Sequence, residues 1–269
     1  MQVYKEFSIL SSRPSKIDEK KIKHHLYGIL SVKKYFSVGQ WIVLAKQKVN
    51  FCIKNKKTPI FVGGTGLYFN AITRGISKIP QIDNKIRKEV RNLQKEMGQE
   101  KFYKKLILLD PKSEKKILPT DTHRSLRAYE VKLFTKKSLY DWATDTKSEF
   151  LDFDIKKIFI DAPRDILIKN IEKRTNQMFK EKCVNEVKNF HKLNIDKTLS
   201  SNKIIGVKEI SDYLLGSISE KEAVELINIK TRQYAKRQNT WSRGHMASWN
   251  KLYSKDFSIL LKKVLKAIS

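Results

Sequence analysis

The chain has 269 residues, 56 Lys plus Arg against 28 Asp plus Glu, a formal charge of +28, 40% apolar and 31% charged residues, and a mean hydropathy of −0.50. That balance supports a hydrophobic core without disulfide or metal staples and excludes collagen-like, fully disordered and membrane-spanning proteins, because no stretch approaches the ~18 uncharged apolar residues of a span. The opening MQVYKEFSIL has neither the apolar run nor the cleavage pattern of a secretory signal, which predicts a cytoplasmic protein with no membrane partner.

Residues 1–30 read as a short element, a polar loop containing Pro14, and then His24-His25-Leu26. Ser37 is placed to cap a helix running through Cys52, with Trp41, Leu44, Ala45 and Val49 near helical spacing. PIFV at 59–62 fits a buried strand, and GGTGLY follows at once, the strand, glycine turn and helix of a parallel α/β unit. Ile82, Ile86, Val90, Leu93 and Met97 form one stripe of a helix over 82–106, and helical patterning continues through 123–135. IFI at 158–160 predicts a second strand, Pro163 the first turn of a helix over 164–180, and Val184, Val187 and Leu193 another over 184–193. Ser219 and Glu222 match a capping box for a helix running past Arg237. The predicted architecture is an α/β core over 1–79 and 151–269, ending in a basic helix and interrupted by a helical insert over 80–150.

Two cysteines, Cys52 and Cys183, and five histidines show no ligand spacing, so the cysteines read as small buried hydrophobes and no metal site is predicted from them. The charge of +28 steers the chain toward polyanions, with nucleic acid ahead of membrane, although a Lys-, Asn- and Ile-rich composition of the kind a biased genome imposes contributes to it. GGTGLY fits either an anion-approaching turn or a plain strand-to-helix turn, and it is neither a Walker A loop nor a dinucleotide fingerprint. In TRQYAKRQNTW, Arg232 and Lys236 stand four apart with Arg237 beside them, a spacing that suits pyrophosphate or RNA phosphate, or a solvated face. Arg124 and Arg127 in THRSLRAYEV form an i,i+3 pair able to follow a nucleic-acid backbone. Asp152, Asp154 and Asp161 flank a strand and are explained by capping and solvent.

Taken in order, Met1-Gln2-Val3-Tyr4, His24-His25-Leu26, GGTGLY, THRSLRAYEV, Arg174 with Gln177-Met178, GVKE at 206–209 and TRQYAKRQNTW resemble the tRNA dimethylallyltransferases, or tRNA isopentenyltransferases, over nearly the whole chain. The resemblance implies a P-loop-NTPase-like parallel sheet with a helical insert that grips the tRNA anticodon stem-loop. It implies transfer of a dimethylallyl group from dimethylallyl diphosphate to N6 of adenosine 37, by a Mg2+-dependent monomer. Pulling a base from a single-stranded loop costs little unstacking, which makes that target physically sensible. By family position Thr65 and Arg232 are the catalytic residues, and Gly63, Gly64, Arg232, Lys236 and Arg237 hold the diphosphate. Gln2 meets the target adenine and Thr65 lies beside the reacting centre, and Met1, Gln2, Thr65, Arg87, His123, Arg124, Ser125, Leu126, Arg127 and Gln177 are the tRNA-binding positions.

Members of the family place a first strand, a Walker A loop that also carries the Mg2+ ligand, and an Asp-Ser pair ahead of the Met-Gln that opens this sequence; the Asp is their general base. Measured against them, roughly 35 residues including the first strand stand outside the 269. Val207 occupies a position where members carry Tyr. The expectation from these departures is little or no turnover by the 269 residues alone, with a non-catalytic tRNA-binding remnant as the alternative function. A small nucleotide kinase is disfavoured because it needs a Walker Lys and gives no reason for TRQYAKRQ.

Overall fold

A computed structural model describes residues 1–144, 146–197 and 199–268. The chain forms two compact units, Met1–Tyr68 with Asp152–Ser269, and Phe69–Leu151.

The first unit contains α1 (Lys16–Lys21), α2 (Val38–Lys54), the start of α3 (Gly66–Thr73), β1 (Ile158–Ile160), α7 (Arg164–Lys180), α8 (Cys183–Lys192), α9 (Val207–Leu214), α10 (Glu220–His245), β2 (Asn250–Leu252) and α11 (Phe257–Ile268). Local chemistry sets the helix starts. Ser37 and Gln40 exchange side-chain and backbone hydrogen bonds in a capping box, as do Ser219 and Glu222 at α10. Ile42, Ala45, Val49 and Cys52 then form the buried face of α2.

The core joins distant parts of the sequence. Tyr4, Phe7, Leu10 and Val32 pack with Met178, Cys183, Val187, Phe190, Ile204, Val207, Ile210 and Ile227, and the rings of Phe7 and Phe190 lie 5.1 Å apart. Val207 thus serves as a core residue of α9. Its neighbour Glu209, 3% exposed, accepts from the Gly206 amide at 2.9 Å and pairs with Lys230 of α10, while Lys208 pairs with Asp212 at 2.7 Å. The GVKE motif is a fastening between α9 and α10.

The parallel sheet is much smaller than the predicted core. β1 and β2 pair in parallel with Ile158 opposite Asn250 and Ile160 opposite Leu252, and Tyr4 and Leu30 form an isolated parallel bridge. PIFV does not form the predicted strand. It alternates half-buried Pro59 and Phe61 with exposed Ile60 and Val62, as a strand would, but no neighbouring strand pairs with it among the described residues. A strand requires a ladder partner, which alternation alone does not provide. Among the described residues the protein is accordingly mostly helical, with one two-stranded parallel pair.

In the second unit, α4 (Asn84–Leu109) packs on α5 (Thr122–Thr135), with α6 (Leu139–Ala143) following. Val90, Phe102, Leu106, Ile117, Ala128 and Tyr129 form its core. The helix predicted over 82–106 is broken at Gly98, whose φ of 75° and ψ of 165° lie where only glycine is unstrained. Among the described residues, no helix is long and apolar enough to cross a membrane.

Both cysteines are buried. Burial, reinforced by Glu186, pushes the Cys183 thiol up to about 12. At pH 8 it is therefore a thiol, not a thiolate, and resists disulfide-exchange reagents in the native state. Peptide mapping after labelling with Ellman's reagent is expected to find Cys183 unmodified until denaturant is added; rapid native labelling would contradict its burial.

Candidate functional site

Residues 63–66 lead into α3, and one face of α10 lies against them. Thr65 Oγ1 and Tyr234 Oη share a hydrogen bond of 3.2 Å. A Cβ on Gly64 would meet the carboxamide of Gln238, and one on Gly66 would fall within the indole of Trp241. Tyr234, Gln238 and Trp241 recur at i, i+4 and i+7, hence on one side of the helix. Gly66 is thus required by the close approach of the Trp241 ring, whereas the Gln238 carboxamide beside Gly64 is the end of a flexible side chain that can move aside; none of Gly63, Gly64 or Gly66 has positive φ. Around Gly63 nothing lies within 4 Å of where a Cβ would stand, leaving its backbone accessible.

The cations of α10 divide between two faces. Arg237 is exposed and its guanidinium lies 5.7 Å from the centroid of the Tyr234 ring, on the turn-facing side. With about 100° between successive residues, Arg232 and Lys236 stand about half a turn away from Tyr234 and Trp241. Arg232 is bound there by two carboxylates, Glu225 at 2.9 Å and Glu172 of α7 at 3.7 Å. The structure therefore brings Thr65, Gly64 and Arg237 together through α10, and does not bring Arg232 and Lys236 to that face.

Aromatic rings continue the site. Trp41 of α2 meets Tyr68 edge-on at 4.7 Å and Phe61 at 6.0 Å. Burial, and then Tyr234, pushes the Tyr68 hydroxyl above its ordinary range, so it remains a proton-bearing donor at neutral pH.

Gln2 is held in the N-terminal segment. Its Nε2 donates to the Ser12 carbonyl at 2.8 Å, its own carbonyl accepts from the Gly28 amide at 2.9 Å, and Met1 beside it is exposed. Arg174 donates to Ser12 Oγ at 3.0 Å, and Arg13 donates to the Tyr4 carbonyl at 3.1 Å. Glu186 completes the support, accepting from the Ser8 amide and hydroxyl and from the Ile9 and Leu10 amides at 2.7 to 3.0 Å. Gln177 is exposed and bonds Glu181, the residue that follows α7, at 2.9 Å.

In the second unit, His123 and Arg124 are exposed at the start of α5, where Asp121 caps the helix and lies 3.3 Å from the Arg124 guanidinium. Arg127 approaches Glu130 at 3.9 Å. Burial pushes the Glu130 carboxyl above its ordinary range, against the opposing pull of Arg87, Arg91 and Arg127. Ser125, in contrast, is fully buried and receives Gln99 at 3.3 Å, and Leu126 packs on the core. These two are internal supports of α5, while His123 and Arg124 form its outward face.

Sequence reasoning quoted Tyr234, Gln238 and Trp241 within a motif without assigning them a task. Their i, i+4, i+7 spacing is the available signal, but their contact with 64–66 is tertiary. Among the described residues, no group of three or more His, Cys, Asp or Glu side chains is placed to hold a metal ion, and Glu172 and Glu225 are paired with Arg232.

A glycine turn with open space beside Gly63 is thus faced by the aromatic side of α10, with Arg237 over Tyr234. A model of the IPP transferase family matches residues 2–245. The tRNA dimethylallyltransferase of Pelagibacter ubique (strain HTCC1062) is 50% identical over 267 residues, covering 99% of this chain and 85% of that protein. That of Rickettsia massiliae (strain Mtu5) is 39% identical over 272 residues, covering 100% of this chain and 75% of that protein. Among solved structures, the full-length tRNA isopentenylpyrophosphate transferase of Bacillus halodurans aligns with a TM-score of 0.65 at 28% identity, covering 99% of this chain and 84% of that one. A eukaryotic dimethylallyltransferase acting on tRNA aligns with a TM-score of 0.78 at 20% identity over 96% of this chain and 66% of that one, a likeness of fold. The chain belongs to the IPP transferase family, the tRNA dimethylallyltransferases, which are enzymes.

Proposed function

We propose, against the expectation of little turnover by the 269 residues alone, that the protein transfers the dimethylallyl group of dimethylallyl diphosphate to N6 of adenosine 37 in tRNA, acting as a cytoplasmic monomer. The observation that carries this reading is the 50% identity to a tRNA dimethylallyltransferase over 99% of the chain. In the reaction the adenine amine attacks the allylic carbon, forming a C–N bond as the C–O bond to the diphosphate breaks; diphosphate leaves and one N6 proton is given up to water. The departing charge is met by the backbone at the Gly63 turn and by Arg237, while Thr65 stands next to the reacting carbon. Gln2, held by Ser12 and Gly28, presents the target base. Arg87, His123, Arg124 and Arg127 contact the anticodon stem-loop.

Deleting the chromosomal gene is expected to remove dimethylallyladenosine from position 37 of the cell's tRNA, read by nucleoside mass spectrometry, and the gene supplied in trans restores it. Unchanged modification in the deletion strain would refute the reading.

For the tRNA surface, Arg124→Ala is expected to weaken tRNA binding and lower the slope of log K against log salt by about one phosphate contact, ~0.7 to 0.9. Ser125→Ala should leave that slope unchanged, because Ser125 is fully buried. Filter binding across a salt series separates the two.

A further inference from the structure

We propose that Tyr234, Gln238 and Trp241 are positioning residues that set the 63–66 turn, with the Tyr234 hydroxyl orienting Thr65 for the transfer step. The inference deepens the prenyl-transfer reading and rests on it for the task of Thr65. Side chains of α10 hold the turn. Three successive contacts do so. The Tyr234 hydroxyl bonds Thr65 Oγ1 at 3.2 Å, the Gln238 carboxamide occupies the space above Gly64, and the Trp241 indole occupies that above Gly66. Trp241 is braced in turn, its ring stacked on His245 at 4.3 Å and 2° between planes, while His245 Nδ1 contacts the Trp241 carbonyl at 2.9 Å. A hydroxyl free to rotate points its proton anywhere; one bonded to a second hydroxyl has its rotor limited. α10 thereby keeps the turn and Arg237 in one rigid frame, the condition for preorganised charge stabilisation.

Tyr234→Phe keeps the ring and removes only the oxygen. It is expected to lower kcat for prenyl transfer about tenfold, the worth of one hydrogen bond, with KM for tRNA unchanged. In a Thr65→Ala background it should cost nothing more, because the partner is already gone. Wild-type kcat in Tyr234→Phe, or a full additive loss in the double variant, overturns the proposal. A second measurement decides the case without turnover. In Gln238→Ala and Trp241→Ala, exchange of the Tyr68 amide, which donates to the Thr65 carbonyl at 3.1 Å, is expected to quicken at least tenfold while the interior of α9 keeps its protection; unchanged exchange at Tyr68 overturns the proposal. Should the wild type transfer no prenyl group, the functional reading fails, and the exchange result still decides whether α10 sets the turn.

Discussion

Glu186→Ala is expected to destabilise the first unit by about 3 kcal/mol and lower its melting temperature by roughly 6 to 12 °C. The reason is geometric. One carboxylate on α8 accepts from three consecutive backbone amides, Ser8, Ile9 and Leu10, and from the Ser8 hydroxyl. Ser8 is exposed and water replaces its lost bonds, but Leu10 is 5% exposed and Ile9 partly buried, so their amides lose their acceptor with little solvent to compensate. Glu186→Gln keeps one carbonyl acceptor and should lose about half as much, since its NH2 group opposes an amide donor where Oε2 stood. The local effect reaches the site, because residues 8–10 lead directly to Ser12, which Gln2 and Arg174 grip. Circular dichroism melts of the two variants provide the check; a shift below 2 °C for Glu186→Ala would show that the amides are satisfied some other way.

The second large effect separates the cations of α10. Arg237→Ala is expected to weaken binding of inorganic pyrophosphate by about 30- to 100-fold, the loss of a charge-assisted contact worth ~2 to 3 kcal/mol. Arg232→Ala should change that affinity less than threefold, because its guanidinium is engaged by Glu225 and Glu172 on the far side of the helix. Isothermal titration calorimetry with pyrophosphate compares the two directly. The reverse order, with Arg232 dominant, would show that the guanidinium leaves its carboxylates for the diphosphate. In that case the expectation from family position would stand over the geometry.

What was legible in the sequence was mostly local. The capping boxes at Ser37 and Ser219 span three residues and contain their own partners, and both helices begin where they predict. The buried cysteines and the strand at 158–160 follow from apolar character and short range patterning. PIFV failed as a strand because pairing depends on a neighbour that a short apolar run cannot specify. The break at Gly98 was hidden by an apolar stripe ending at Met97, and only the backbone angles reveal it. For the site, residue types were readable and facing was not. The i,i+4 relation of Arg232 and Lys236 was visible, but which side of α10 meets the glycine turn is settled by Tyr234, Gln238 and Trp241 across a separation of 169 residues for the Thr65 pair. Ser125 and Leu126 show the same limit, since a motif shared along a helix mixes residues that face outward with those that face the core.

The N-terminal segment carries a consequence for the order of assembly. Tyr4, Phe7 and Leu10 enter a core whose other walls come from Met178 through Ile227, whereas the second unit is one continuous stretch, Phe69–Leu151. A contiguous helical unit closes short loops and folds fast; a core joining the two ends of a long stretch pays a larger closure entropy and folds late. On the ribosome the helical unit can therefore form while the first ten residues still wait for α7 to α10. During that interval Phe7, wholly buried in the finished protein, is exposed to solvent and to chaperones.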